Sequence, residues 1–198
     1  MIKPDEGYIK FNLVWNENAF DFRDEDFNAI NSIRKQLFDL GFIGVYPDGI
    51  GFGNLSIRQQ NNEFVISGSA TGSIADLEKK HYALVKDFNI QNNQVWCQGL
   101  SKASSESMSH AAIYESNKNV GAVLHVHHEK LWEQLLNVLP STAQQAAFGT
   151  PEMAFEIARL SKTQQGIIMM GGHPEGIISY GKNLQEAYDL LLRQYNNL

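Results

Sequence analysis

Three histidines, His125, His127 and His173, lie where predicted strands end and could together bind a metal ion. Side chains alternate across a strand, so His125 and His127 point to the same side. His173 follows another apolar run and two glycines that permit a tight turn. Catalytic zinc sites typically combine three protein ligands with one open position, and imidazole is a favoured ligand. These residues indicate a divalent-metal site, with a packed or plain loop histidine as the alternative at each position.

A carboxylate and two hydroxyls lie at the start of a predicted helix, where Glu106 follows Ser104 and Ser105. The backbone N–H groups and the macrodipole of a helix N-terminus attract anions, and the serine hydroxyls add donors. Two interpretations remain open, ordinary helix capping or a phosphate site. His110, one turn later on the same face, either orients Glu106 or packs in the core. His128 either begins the next helix or lies behind the metal ligands.

Two turns of small residues, Gly53-Asn54 and Ser69 to Gly72, each follow or close a predicted strand. Turns with free N–H groups form concavities that bind anions. Neither turn matches the phosphate loop of nucleotide hydrolases or the dinucleotide-binding fingerprint, because Gly51 and Gly53 lack a third glycine and a following helix. A nicotinamide cofactor is therefore disfavoured, and ordinary turns are the alternative to an anion site.

Hydrophobic periodicity and capping residues predict the elements that must position these side chains. Predicted helices cover residues 24–40, 77–88, 105–117, 129–138, 150–160 and 184–195. Predicted strands cover residues 8–15, 55–58, 63–67, 120–126, 166–170 and 176–180. Helices and strands intermix without strict alternation, which favours an α/β fold with a mixed or largely antiparallel sheet covered by helices.

The composition is that of a globular chain, with 198 residues of which 43% are hydrophobic, and it predicts one domain over residues 1–198. A formal charge of -6 with scattered cations disfavours nucleic acid and membrane partners. The charged N-terminus lacks the apolar core of a signal peptide, so a cytoplasmic location is expected. Cys97 is the single cysteine, and its apolar surroundings predict a small buried residue.

These pieces, taken in order, resemble the class II aldolase/adducin family, which includes fuculose-phosphate aldolase, ribulose-phosphate 4-epimerase and methylthioribulose-phosphate dehydratase. The similar stretches span about residues 50 to 190. They are Gly53 to Arg58, Thr71-Gly72, Ser104 to Glu106, His110 to Tyr114, Gly121 to His127, Gly149 to Glu152, Gly172-His173 and Gly181 to Ala187.

The resemblance implies a three-layer α/β/α fold around a mixed sheet, and a homotetramer with active sites between subunits. It implies zinc or another divalent metal bound by His125, His127 and His173, with Glu106 approaching the metal and moving protons. The substrate implied is a small phosphorylated sugar. The residues implied to surround its phosphate are Asn54, Thr71, Gly72, Ser104 and Ser105.

The mechanism implied is metal-assisted enolisation, in which the ion stabilises the ene-diolate of a ketose phosphate. Because one intermediate serves cleavage, epimerisation and dehydration, the resemblance predicts an aldolase-type carbon–carbon lyase, with a sugar-phosphate epimerase or dehydratase as alternatives. A non-catalytic, adducin-like binding module is the alternative from another class.

Two departures from the family pattern stand out. The stretch between His127 and Gly149 is short, and none of its residues matches the tyrosine that the aldolases place there as an acid. The usual His-Gly after the last metal strand is replaced by His173-Pro174-Glu175. Glu175 is therefore either a solvated turn acid or a residue that touches substrate or metal.

Overall fold

A computed structural model describes residues 7–198, and the charged stretch 1–6 lies outside the described residues. The strands are β1 (Asn12–Asn16), β2 (Gly44–Val45), β3 (Gly51–Phe52), β4 (Asn54–Arg58), β5 (Phe64–Ser67), β6 (Tyr82–Asn89), β7 (Gln94–Gln98), β8 (Ala122–His127), β9 (Gly166–Met169) and β10 (Gly176–Gly181). The helices are α1 (Asp24–Asp39), α2 (Ser107–Ser116), α3 (Glu129–Leu135), α4 (Pro151–Leu160) and α5 (Leu184–Tyr195).

Eight of the strands form one mixed sheet in the order β1-β7-β6-β5-β4-β8-β10-β9. Only β1 pairs with its neighbour, β7, in parallel, and the other ladders of this sheet are antiparallel. The remaining strands, β2 and β3, form a small antiparallel hairpin. The prediction of a mixed, largely antiparallel sheet is confirmed.

Both faces of the sheet are covered by helices, which gives the expected three layers. Successive residues of β8 show why: Val123 packs in the core cluster that includes α2 and α4, and Leu124 packs in the cluster that includes α1 and α5. Alternation along a strand that is buried on both faces requires apolar residues on both sides. His125 and His127 share the side of Val123, so they lie beneath the layer of α2 and α4.

The predicted helix over residues 77–88 is wrong. A short 3-10 helix (Lys79–His81) is followed by strand β6, which lies between β7 and β5 in the sheet. A bulge between Val85 and Asp87 shifts the register of β6, so Val85 and Phe88 face the same core cluster although they are three residues apart. A bulge adds one residue to a strand, so strict alternation does not hold across β6. The adjacent β7 was not predicted, although the expected burial of Cys97 within it is confirmed.

Helix boundaries follow the capping residues closely. The Thr150 hydroxyl accepts a hydrogen bond from the Met153 amide at the start of α4, and the Asn183 carboxamide accepts one from the Glu186 amide at the start of α5. Gly41 follows α1 with a φ of +77°, which suits a residue that ends a helix. Among residues 7–198, no helix is long and apolar enough to cross a membrane.

Candidate metal centre and phosphate pocket

The three predicted metal ligands converge. His125 and His127 end β8, His173 lies in the turn before β10, and β10 pairs with β8 so that Gly176 lies opposite His127. Each histidine is at most 2% exposed. One ligand atom from each ring can be chosen so that all lie within 4.8 Å of one another. The group could therefore hold a metal ion.

The spacing of the ring nitrogens fits such an ion. His127 Nε2 lies 3.1 Å from both His125 Nε2 and His173 Nε2. A ring nitrogen has one in-plane proton or one lone pair, which serves only one well-directed hydrogen bond. Two nitrogens bound at 2.0–2.1 Å to one tetrahedral zinc would be about 3.3 Å apart. Hydrogen bonds alone therefore cannot account well for three ring nitrogens this close together. A cation bound by all three would account for it.

The protonation state of His125 also suits a ligand. The pKa of His125 is well below its ordinary value of 6.5. The main cause is the complete burial of the ring, and the neighbouring His127 and His173 lower the pKa further. The ring is therefore neutral at neutral pH. A neutral imidazole keeps the lone pair that metal coordination needs.

A tyrosine and a glutamate lie behind His127. Tyr46 Oη is 2.8 Å from His127 Nδ1 and donates a 2.8 Å hydrogen bond to Glu175 Oε2. Glu175 Oε2 is itself 3.9 Å from His127 Nδ1, too far for a hydrogen bond. The proximity of His127 and the Tyr46 hydrogen bond lower the pKa of Glu175 against the opposing effect of its partial burial. Glu175 is thus neither a free turn acid nor one of the three converging ligands.

The five predicted phosphate residues line one small pocket. Asn54, Thr71, Gly72, Ser104 and Ser105 surround it together with neighbouring glycines and Ser69. Gly72 packs against the backbone of Gly44 and Gly51 so closely that a Cβ there would overlap the Gly44 carbonyl. Only glycine fits this wall of the pocket.

The pocket adjoins the metal centre through the sheet. Asn54 is the direct partner of His125 in the antiparallel ladder of β4 and β8, and opposite residues of such a ladder share a face with Cα atoms about 4.5–5.5 Å apart. The pocket residue Asn54 and the candidate ligand His125 are therefore neighbours on one face of the sheet.

A buried cation supports the pocket from behind. The Arg34 guanidinium donates to the backbone carbonyls of Thr71, Ile74 and Ala75 at 2.7–3.0 Å, and Arg34 is 1% exposed. Burial lowers the pKa of Arg34, although guanidinium stays charged in proteins. Arg34 fixes the loop that carries Thr71 and Gly72.

Glu106 is fully buried at the N-cap position of α2, where it precedes the first helical residue, Ser107. Ser109 Oγ donates to its carboxylate at 2.6 Å. His110, one turn later, is also fully buried, and its Nδ1 lies 2.7 Å from Ser56 Oγ. Ser56 lies two residues from Asn54 on the same face of β4, so this face of α2 is turned towards the strands of the site. His110 is thus a buried side chain that contacts a strand of the site.

The segment between α3 and α4 covers His173. Phe148 lies 4.7 Å from the His173 ring with an interplanar angle of 30°, and Lys10 Nζ lies 3.9 Å above the Phe148 ring. A Cβ on Gly172 would overlap the carbonyl of Ala146. Glycine is therefore needed at position 172 because the covering segment packs directly against the backbone of the turn.

His128 is the N-cap of α3, where its Nδ1 accepts a hydrogen bond from the Leu131 amide at 3.1 Å. Of its two interpretations, the helix start is confirmed. The ring packs against Phe42 and Tyr195 rather than against the histidine cluster.

A sequence profile of the class II aldolase and adducin N-terminal domain matches residues 47–193. The chain belongs to this family. The match covers well over half of the chain, and it supports an aldolase-like enzyme of the metal-dependent class. No curated protein matches the chain in sequence.

Solved structures share the fold at low sequence identity. An L-fuculose 1-phosphate aldolase is 18% identical with a TM-score of 0.68, covering 89% of this chain and 84% of its own. The enzyme of that name from Thermus thermophilus is 21% identical with a TM-score of 0.63, covering 88% and 92%. A sugar-phosphate aldolase from Thermotoga maritima is 17% identical with a TM-score of 0.66, covering 87% and 91%. These likenesses confirm the fold of this family member.

Three side chains of the site escaped the sequence analysis: Tyr46, Arg34 and Phe148. Tyr46 precedes a Pro-Asp-Gly turn, and its partners are 81 and 129 residues away. Arg34 interrupts an otherwise apolar helix face, which is the one local signal that a buried cation was present. Phe148 lies in a segment without hydrophobic periodicity, so no local sequence pattern indicated that it packs against His173.

Proposed function

We propose that this chain is a metal-dependent carbon–carbon lyase of the aldolase type that acts on a small phosphorylated ketose. The observation that carries the proposal is that three buried, converging histidines adjoin a separate pocket of small donor residues, through the pairing of His125 with Asn54. The names of the structurally similar sugar-phosphate aldolases support the same substrate class.

In the proposed complex the pocket holds the substrate phosphate. Hydroxyls of Ser105 and Ser104, the Asn54 carboxamide and backbone N–H groups of the loop at Gly72 are the donors that such an anion needs. The Arg34 cation behind the loop adds a favourable field. Holding the phosphate here would place the rest of a short ketose towards the histidines.

His125, His127 and His173 would hold the ion, with zinc as the metal that best suits three imidazoles. When bound, a divalent cation supplies a Lewis acid that polarises the substrate carbonyl. The nearly complete burial of the three rings excludes water from their side of the site.

Glu106 is the proposed proton carrier. Its carboxylate is fully buried, and the desolvation of an isolated carboxylate costs several kcal/mol, which a nearby cation would offset. The Ser109 hydrogen bond orients the carboxylate, and the preceding residues, Ser104 and Ser105, line the phosphate pocket. Glu106, which follows the pocket residue Ser105 in the chain, would take or return a substrate proton.

Epimerisation and dehydration of a sugar phosphate remain alternatives, because they need the same ion and the same proton carrier. The stretch between His127 and Gly149 contains no tyrosine, so the acid that the family's aldolases place there has no counterpart in it. A non-catalytic, adducin-like binding module is the alternative outside enzymes. We further propose a single domain, a homotetramer and a cytoplasmic location.

Metal content and turnover test the proposal. Purified protein should carry about one divalent ion per chain, since three imidazoles are the usual protein ligand number of catalytic zinc. His125→Ala and His127→Ala should lose the ion, whereas His81→Ala, a histidine outside the cluster, should keep it. Full occupancy in both cluster variants would contradict the site.

Product analysis with a panel of ketose phosphates separates the reactions. Cleavage releases an aldehyde and a smaller phosphorylated ketone, whereas epimerisation and dehydration leave the carbon chain intact. Metal-loaded wild-type protein that turns over none of the panel would favour the binding module.

A further inference from the structure

Tyr46 Oη lies within hydrogen-bonding distance of two groups, and their chemistry decides the direction of both bonds. An ionised carboxylate only accepts hydrogen bonds, so Tyr46 donates its single proton to Glu175 Oε2. The tyrosine oxygen is then the acceptor for His127, so Nδ1 of His127 carries a proton. In a neutral ring this leaves the lone pair on Nε2, the atom that faces His125 and His173.

Both Tyr46 and Glu175 are held by backbone contacts. Tyr46 opens the loop between β2 and β3, which is closed by hydrogen bonds from the Tyr46 amide to the Ile50 carbonyl and from the Gly49 amide to the Tyr46 carbonyl. Its ring lies 4.6 Å from that of Phe52, which in turn lies 5.5 Å from the His127 ring. The hydroxyl therefore has little freedom to leave His127.

Glu175 is anchored although its backbone conformation is unfavourable. Its φ of +66° lies in the left-handed region that favours glycine. The Glu175 carbonyl accepts a hydrogen bond from the amide of His128, the residue after His127. The same turn carries His173, whose carbonyl accepts from the Gly176 amide. One strained turn thus presents both a candidate ligand and the carboxylate behind another candidate ligand.

We propose that Tyr46 and Glu175 are positioning residues that act in series to hold His127 with its proton on Nδ1 and its lone pair on Nε2. This inference rests on the metal site of the proposed function. Outer partners of metal-bound histidines fix the tautomer and ring orientation and raise the basicity of the ligand, and their loss typically lowers metal affinity about 10- to 100-fold. Tyr46 makes the direct contact, and Glu175 acts through it.

Zinc affinity, measured by chelator competition, tests the pair. Tyr46→Phe should weaken zinc binding about 10- to 100-fold, and Glu175→Gln should weaken it in the wild-type background. In the Tyr46→Phe background Glu175→Gln should change the affinity less than about twofold, because coupled residues are non-additive. Tyr180→Phe and Glu63→Gln are matched controls, since Tyr180 bonds Thr163 and Glu63 pairs with Lys86 away from the histidines.

Two further readouts separate positioning from a structural role. Glu175→Gly relieves the left-handed backbone, so its unfolding temperature should equal or exceed that of the wild type while zinc affinity falls. ¹⁵N NMR of the metal-free protein should show the Nδ1–H form of His127, and Tyr46→Phe should shift it towards a mixture. If Tyr46→Phe does not fold, the zinc affinity and unfolding temperature of the Glu175 variants still test the proposal.

The possible failures are distinguishable. Wild-type protein that binds no zinc would refute the metal site itself. Wild-type protein that binds zinc, with Tyr46→Phe and Glu175→Gln binding equally well and the His127 tautomer unchanged, would overturn only the positioning pair. A Glu175→Gln effect as large in the Tyr46→Phe background as in the wild type would overturn the serial arrangement.

Discussion

Replacement of Glu106 by glutamine separates proton transfer from every other contribution of this side chain. General acid–base catalysis is worth about a hundred- to ten-thousand-fold in rate, which is about 2.7–5.4 kcal/mol in activation free energy. Glutamine keeps the size of the buried side chain and an oxygen that can accept the Ser109 hydrogen bond, but it cannot act as a carboxylate base. Turnover by Glu106→Gln should therefore fall by that factor with metal content unchanged.

The effect on folding should be far smaller. Loss of the negative charge at the start of α2 costs about 0.3–1 kcal/mol through the helix dipole, and a weaker Ser109 hydrogen bond costs about 1 kcal/mol. Relief of the desolvation of a fully buried carboxylate opposes both losses. A domain with about 5–15 kcal/mol of stability remains folded after such a change. The fall in turnover would thus have no explanation in unfolding.

The assay is the release of a phosphorylated ketone from a ketose phosphate under saturating zinc, with elemental analysis and thermal unfolding of the same samples. Glu115→Gln, an exposed acid on the same helix, is the matched control and should keep full turnover. Glu106→Gln that remains both metal-loaded and active within about threefold of the wild type would refute the proton-carrier role.

Two more changes probe the pocket and the layer beneath it. Ser105→Ala should raise the KM for a ketose phosphate roughly 10- to 100-fold with little change in kcat, because a charge-assisted hydrogen bond is worth about 1.5–3 kcal/mol. Steady-state kinetics would measure this, and an unchanged KM would exclude Ser105 from phosphate binding. Burial lowers the pKa of His110 from 6.5 to about 3, so the folded state stays neutral while the unfolded chain binds a proton below pH 6.5. In metal-free protein, His110 should then contribute a loss of about 1.4 kcal/mol of unfolding free energy per pH unit as pH falls from 6.5 towards 3. Denaturant titrations of His110→Gln that run parallel to the wild type would contradict this.

Local patterns were sufficient where one short stretch of chain determines the outcome. The caps at Thr150 and Asn183 are bonds to amides three residues away, and the alternation of β8 places His125 and His127 on one face without help from the rest of the protein. The residues that line the pocket were indicated by the resemblance to the family and not by a local pattern.

The same reasoning failed where distant chain segments decide the conformation. The stretch from Leu77 to Phe88 has apolar residues at helical spacing, but β5 and β7 pair with its second part on both sides. Those ladders satisfy its backbone polar groups as strand β6, and the bulge after Val85 turns Phe88 to the opposite face of the sheet from Leu84. Tertiary pairing overrides a local preference that is worth only tenths of a kcal/mol per residue.

The sequence by itself determined the residue types and the local elements of the candidate site, because imidazoles two apart on a strand and a carboxylate at a helix start follow from backbone periodicity alone. Only the tertiary structure decided that Tyr46, His127 and Glu175 meet. Their contacts join residues 81 and 129 positions apart, and a hydrogen bond of 2.8 Å depends on how the end of a strand and two separate turns pack, which no spacing along the chain encodes.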